Sequence, residues 1–131
     1  MKTLIVEDEL ASRLLLQELM KKYGPCHVAV NGKEAVEAAR MALEAGEPYD
    51  LIFLDILMPE MNGQEALRQI RGLEESRGIF SSDGVKIIMT TSLSDIKNVS
   101  KAYLHLCNAY LTKPVRKEKL LDELKSLKLV E

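Results

Sequence analysis

The chain has 131 residues, 47% of them hydrophobic and 29% charged, with a formal net charge of −2. That length suits one domain able to bury roughly two-thirds of its unfolded surface. The composition excludes a disordered chain, and no apolar run approaches the eighteen or so residues of a membrane span.

Leu4–Val6 is the first predicted strand. Lys2 precedes only this short stretch before Glu7, Asp8 and Glu9, which is not the pattern of a signal peptide. A helix is predicted from Ala11 to Tyr23, with Leu16, Leu19, Met20 and Tyr23 on one face, and Gly24-Pro25 stops it. A weak strand over His27–Val30 leads to Asn31, which with Glu34 resembles a capping box. The helix that follows carries a small-residue stripe of Ala35, Ala38, Ala39, Ala42 and Leu43. Leu51–Leu54 reads as a strand buried on both faces, ending abruptly in Asp55 and followed by Pro59 and Gly63.

A third helix is predicted over Gln64–Glu74, burying Ala66, Ile70 and Leu73, and Gly78–Gly84 reads as a polar loop with an apolar tip. Lys86–Thr90 is the fourth strand, and Ser94 caps a helix with Ile96, Val99, Tyr103 and Leu104 on one face. Ala109–Leu111 is the fifth strand, and Arg116–Val130 the last helix, burying Leu120, Leu124 and Leu127. Cys26 and Cys107 have neither metal nor disulfide-framework spacing, so reduced thiols in a cytoplasmic protein are expected. Charge is unevenly spread, −6 over residues 1–85 and +4 over 86–131. This suits docking to charged partners, but it is too mild for a nucleic-acid surface.

Strict (βα)5 alternation predicts an α/β fold, a doubly wound parallel sheet covered on both faces by helices. Ligands bind such sheets beyond the carboxyl ends of the strands. Polar residues collect there: Glu7 and Asp8 after strand one, Asp55 after strand three, Thr91 and Ser92 after strand four, Lys113-Pro114 after strand five. Taken singly, each has an ordinary explanation. Asp8 suits a helix N-cap, Asp55 a turn cap, Thr91 a hydroxyl bonded to backbone, and Tyr110 a packed aromatic.

Taken together, Val6-Glu7-Asp8, Leu54–Gly63, Ile88–Ser92 and Tyr110–Pro114 resemble the receiver domain of two-component response regulators, the CheY-like, flavodoxin-like fold. The resemblance runs along essentially all of residues 1–131 as a single receiver domain, with no output domain expected in this chain. It implies a five-stranded sheet in the order 2-1-3-4-5, which brings Glu7, Asp8 and Asp55 together. Two carboxylates 5 Å apart repel by about 3 kcal/mol at an effective dielectric near 20. A divalent cation removes that penalty, and an all-oxygen site suits Mg2+.

The resemblance further implies that Asp55 is the phosphoacceptor of a phosphorelay and forms an acyl phosphate, with Lys113 and Thr91 neutralising phosphoryl oxygens. Glu7, Asp8, Asp55 and the backbone carbonyl of Leu57 are the implied metal ligands. Thr91 and Tyr110 are the implied switch, and a cis Lys113–Pro114 bond is expected. The implied partners are a sensor histidine kinase or phosphotransfer protein, and a downstream protein on the surface of the fourth helix, fifth strand and last helix. That surface carries Lys97, Lys101, Arg116, Lys117 and Lys119. Neither a membrane nor nucleic acid is implied as a partner.

The chain departs from the pattern in places. Asp55 and Thr91 are 36 residues apart, several more than usual, so the Glu74–Gly84 region should be extended. Ser92 replaces the usual small residue after Thr91. Leu57 and Leu93 offer nothing to orient an attacking water, so slow self-dephosphorylation is expected. Leu106 stands where a glycine usually ends the fourth helix, which leaves Asn108 as the expected cap. Two other functions compete. A metal-dependent phosphohydrolase would need a second acid where Leu57 stands, so turnover catalysis is not expected. A phosphorylation-independent scaffold is disfavoured by the intact acid, Thr91 and Lys113 set.

Overall fold

The computed structural model describes residues 1–58, 60–80, 82–92 and 106–131. The predicted helix from Ser94, Leu93, and the basic residues Lys97 and Lys101 lie outside them. Five parallel strands, β1(Thr3–Val6), β2(Cys26–Ala29), β3(Leu51–Asp55), β4(Lys86–Thr91) and β5(Ala109–Thr112), form one sheet in the order β2-β1-β3-β4-β5. The predicted fold class and strand order are those observed.

Alternation along the strands builds two cores. Leu4, Val6, Ile52, Leu54, Ile87 and Met89 pack under α2(Gly32–Glu44) and α3(Gly63–Ser76), against Ala35, Ala39, Ala42, Ala66, Leu67 and Ile70. Ile5, Leu51, Phe53, Ile88 and Leu111 face the other way. They pack against Leu16 and Met20 of α1(Leu10–Met20) and Leu120 and Leu124 of the C-terminal helix (Lys117–Ser126). The alanine stripe of α2 lets that helix lie close to the sheet. β3 is buried at every position because both layers cover it.

The helix start predicted at Asn31 is observed, whereas α1 and the C-terminal helix begin without a side-chain cap. Asn31 Oδ1 accepts from Glu34 N at 2.8 Å, and Glu34 Oε1 accepts in turn from Val30 N at 3.2 Å. Asn62 caps α3 through Glu65 N at 3.0 Å. Ends differ more. The first helix finishes as a 3-10 turn, Lys21–Tyr23. The C-terminal helix stops at Ser126 rather than Val130, because Lys128 takes a left-handed φ of 61° and Leu129 N bonds back to Leu124 O. Leu127 is consequently only half-buried.

In α3 the core stripe is rotated from the predicted one. Leu67 is fully buried and Leu73 only half, and Arg71 and Glu74 are buried instead. The two form an ion pair at 2.7 Å. Arg71 also donates to the carbonyls of Leu106 and Val85 and to Asn108 Oδ1, while Glu74 Oε2 accepts from Val85 N. Asn108 Oδ1 also accepts from Ile87 N, so its amide oxygen serves strand β4 and α3, while the helix it is expected to cap lies outside the described residues. This network ties α3 to the amino ends of β4 and β5. It sits at the pole opposite Asp55.

Candidate functional site

The site grows from the carboxyl ends of β1, β3, β4 and β5. At β1, the chain leaves the sheet at Glu7, fully buried, and turns through exposed Asp8 into α1. Two bonds hold that turn: Glu9 N donates to Glu7 Oε1 at 3.2 Å, and Arg13 Nη1 to the Glu7 carbonyl at 3.2 Å. At β3, Asp55 is 4% exposed, and its Oδ1 accepts from Leu57 N at 3.3 Å. The loop after it returns tightly, with Gly63 N bonded to the Ile56 carbonyl at 2.8 Å. A Cβ on Gly63 would collide with the Asp55 carbonyl. Only glycine lets α3 start this close to the acid.

At β5, Lys113 N donates to the Thr91 carbonyl at 2.7 Å, and the following Lys113–Pro114 bond is cis, as expected. Lys113 Nζ then reaches back over the sheet edge to lie 2.9 Å from Glu7 Oε2 and 3.2 Å from Asp55 Oδ2. Glu7 Oε2 is buried and accepts no hydrogen bond of proper geometry, so that contact is an ion pair only. Glu7, Asp8, Asp55, Leu57, Ser92 and Lys113 share an open cleft of about 450 Å³, ample for a phosphoryl group and its waters.

The electrostatics follow from crowding two acids around one lysine. Burial, and then the neighbouring Glu7 charge, push the Asp55 pKa up from 3.8 to about 7, and Lys113 pulls it back only in part. For Lys113, burial works toward a lower pKa, but Glu7 and Asp55 outweigh it and hold the ammonium above its ordinary value. The cluster is short of positive charge. Glu7, Asp8 and Asp55 each offer a carboxylate oxygen, all within 4.8 Å of one another. With Glu7 Oε2 held by the Lys113 ion pair alone, this hard-oxygen set fits a small divalent cation such as Mg2+.

The structure thus brings together Glu7, Asp8, Asp55, Lys113 and Leu57. Thr91 lies beside them but is 1% exposed, and its hydroxyl donates to the Ser92 carbonyl at 3.1 Å. Tyr110 is 50% exposed on β5, away from the acids. Sequence reasoning missed Arg13, whose only signal was its place one turn into the helix after the acids. It also missed the apolar outer face of α1, where Leu10 and Leu14 are 58% and 54% exposed.

A family model described as the response regulator receiver domain matches residues 3–125. The chain is 35% identical over 132 residues to the sensory/regulatory protein RpfC of Xanthomonas campestris pv. campestris (strain 8004), covering 97% of this chain and 16% of that protein. It therefore spans about a sixth of that relative's length. Among solved structures, it is similar to the receiver domain of Saccharomyces cerevisiae Ssk1, co-crystallised with the histidine phosphotransfer signaling protein Ypd1. That match has a TM-score of 0.79 and 32% identity over 97% of this chain and 88% of the other. It is also similar to the receiver domain of the sensor histidine kinase PA1611 from Pseudomonas aeruginosa PAO1, solved with a magnesium ion in its active-site cleft. Here the TM-score is 0.77, with 26% identity over 98% of both chains. Among the described residues, no helix is long and apolar enough to cross a membrane.

Proposed function

The chain belongs to the response regulator receiver domain family, and from that premise we propose that Asp55 accepts a phosphoryl group from a phosphohistidine in a phosphorelay. The observation that carries this reading is the buried Asp55 carboxylate at the end of β3, 3.2 Å from Lys113 and within a three-acid cluster. An Asp55 oxygen attacks phosphorus, the phosphorus–nitrogen bond of the donor breaks, and the departing imidazole nitrogen takes a proton. Lys113 moves from Asp55 to a phosphoryl oxygen, and the Thr91 hydroxyl turns from Ser92 to another.

Glu7, Asp8, Asp55 and the Leu57 carbonyl would hold Mg2+, which when bound neutralises charge on the acids and the phosphoryl oxygens. As Thr91 moves, Tyr110 swings inward from its half-exposed position, altering the face of β5 and the C-terminal helix for a downstream protein. No turnover of other substrates is expected, because Leu57 supplies no general acid. Cys26 and Cys107, neither of them in a disulfide, support a cytoplasmic setting.

The donor docks over the cleft. Leu57 lines the cleft, and Leu10 and Leu14 are exposed on α1, which starts just after the cleft's Glu9, so all three are apolar side chains for a donor to cover; the co-crystal of the Ssk1 receiver with a histidine phosphotransfer protein supports a donor of that class. The test is intact mass after incubation with acetyl phosphate and Mg2+, for the parent chain and Asp55→Asn. One adduct of a single phosphoryl group, labile to base and to hydroxylamine and absent in the variant, is expected. A parent without an adduct favours a scaffold, and continuous release of phosphate from generic phosphoesters favours a hydrolase.

A further inference from the structure

Thr90 stands one place before Thr91 near the end of β4. The register of β3 and β4 pairs it directly with Asp55. Phe53 and Ile88, two residues earlier on each strand, pack in the core beneath α1 and the C-terminal helix. Strand side chains repeat every second residue, so Asp55 and Thr90 point to that same side. Ile5 belongs to that core as well, which places Glu7 there. Glu7, Asp55 and Thr90 form one polar row across three neighbouring strands.

Thr90 is 1% exposed, and its Oγ1 has no hydrogen-bond partner. Among the described residues, the other buried side-chain atom in that condition is Glu7 Oε2, at the far end of the same row. A buried hydroxyl without a partner is costly, and valine would fill the same volume without that cost. In the present arrangement Asp55 is already served, by Leu57 N at Oδ1 and Lys113 at Oδ2.

We propose that the Thr90 hydroxyl donates a hydrogen bond to the Asp55 carboxylate once Lys113 has moved to a phosphoryl oxygen, and so hastens the return of the acyl phosphate to free carboxylate. This rests on Asp55 being the phosphoacceptor. In hydrolysis, a water oxygen bonds to phosphorus while the bond between phosphorus and the acyl oxygen breaks. Asp55 keeps the electron pair as carboxylate, and the water proton passes to solvent with the phosphate. Thr90 retains its own proton throughout. Negative charge grows on Asp55 while Lys113 is occupied elsewhere, and a hydrogen bond to a charged oxygen is stronger than one to an acyl carbonyl. The gain therefore falls on the leaving carboxylate. Thr90 is a positioning residue for that group.

The experiment labels the parent, Thr90→Val and Thr90→Ser with acetyl phosphate and Mg2+, removes the donor and follows decay by intact mass. Thr90→Val should lengthen the half-life about tenfold, the size of one hydrogen bond to a charged acceptor, and Thr90→Ser should return it to the parent's. Urea unfolding of all three proteins supplies the second measurement. A valine variant of altered stability but unchanged decay overturns the proposal, as does a serine variant that decays as slowly as valine. A labelled parent with a valine-insensitive lifetime refutes Thr90 alone. A parent that takes no phosphoryl group refutes the phosphoacceptor reading and Thr90's role with it.

Discussion

Replacing Asp55 with asparagine should make the metal-free protein more stable at neutral pH. The Asp55 pKa rises from 3.8 to about 7 on folding, first through burial and then through Glu7. A raised carboxylate pKa means that the folded protein holds its proton more tightly than the unfolded chain. Between pH 4 and 7 the folded state therefore binds more protons, and its stability falls as pH rises through that window, staying reduced above it. The full shift, about three units, corresponds to ~4 kcal/mol. The carboxylate opens on a solvent-filled cleft, and screening there reduces the expected gain to about 1–2 kcal/mol.

Asparagine keeps the shape and the acceptor for Leu57 N but carries no charge to bury. Urea unfolding in EDTA at pH 4, 5.5 and 7.5 reads the effect. The variant should exceed the parent by the full amount at pH 7.5, by less at pH 5.5 and by almost nothing at pH 4. Adding Mg2+ at pH 7.5 should narrow the gap, because binding at the ionised cluster stabilises the parent more. A variant no more stable than the parent at pH 7.5, or equally stabilised at pH 4, refutes the reasoning.

Three further outcomes are expected. Arg71→Met, which strands Glu74 in the interior and frees two carbonyls, should cost about 3–5 kcal/mol in urea unfolding, and a loss under 1 kcal/mol would deny the network a structural role. Leu14→Glu should slow transfer from a histidine phosphotransfer protein about tenfold or more while leaving acetyl phosphate labelling unchanged. Equal slowing with both donors would remove α1 from the docking surface. Leu57→Gln, which offers an amide to orient water, should shorten the acyl-phosphate half-life about tenfold or more, read as mass decay after donor removal.

The sheet was legible because its central strands β1, β3 and β4 announced themselves as short apolar runs, while β2, Cys-His-Val-Ala on the edge, left only a weak signal, and the acids, threonines and lysine fell just where strands ended. Composition also carried the α2 packing, through alanines at helical spacing. What the sequence concealed depends on partners far away along the chain. Arg71 and Glu74 look like surface residues of α3, since nothing local says that Asn108 and the Val85 backbone will satisfy them. Leu10 and Leu14 were invisible as exposed residues because the apolar pattern of α1 continues all round its first turns, and only the position of the sheet selects the buried face. Thr90 and Thr91 are chemically alike neighbours. Only the strand register sends one toward Asp55 and leaves the other at the edge.

The Arg71 network also sets the mechanics of any movement. It clamps the amino ends of β4 and β5 to α3 through buried and half-buried bonds of 2.7–2.9 Å. The far ends of the same strands, bearing Thr91 and Lys113, border an open cleft. β4 is in addition paired with β3 along its length up to Asp55 and Thr90, whereas β5 is the edge strand and pairs with β4 alone. A displacement at the cleft would therefore fall first on the free end of β5 and on Lys113 beyond it, with the base of that strand pinned at Asn108.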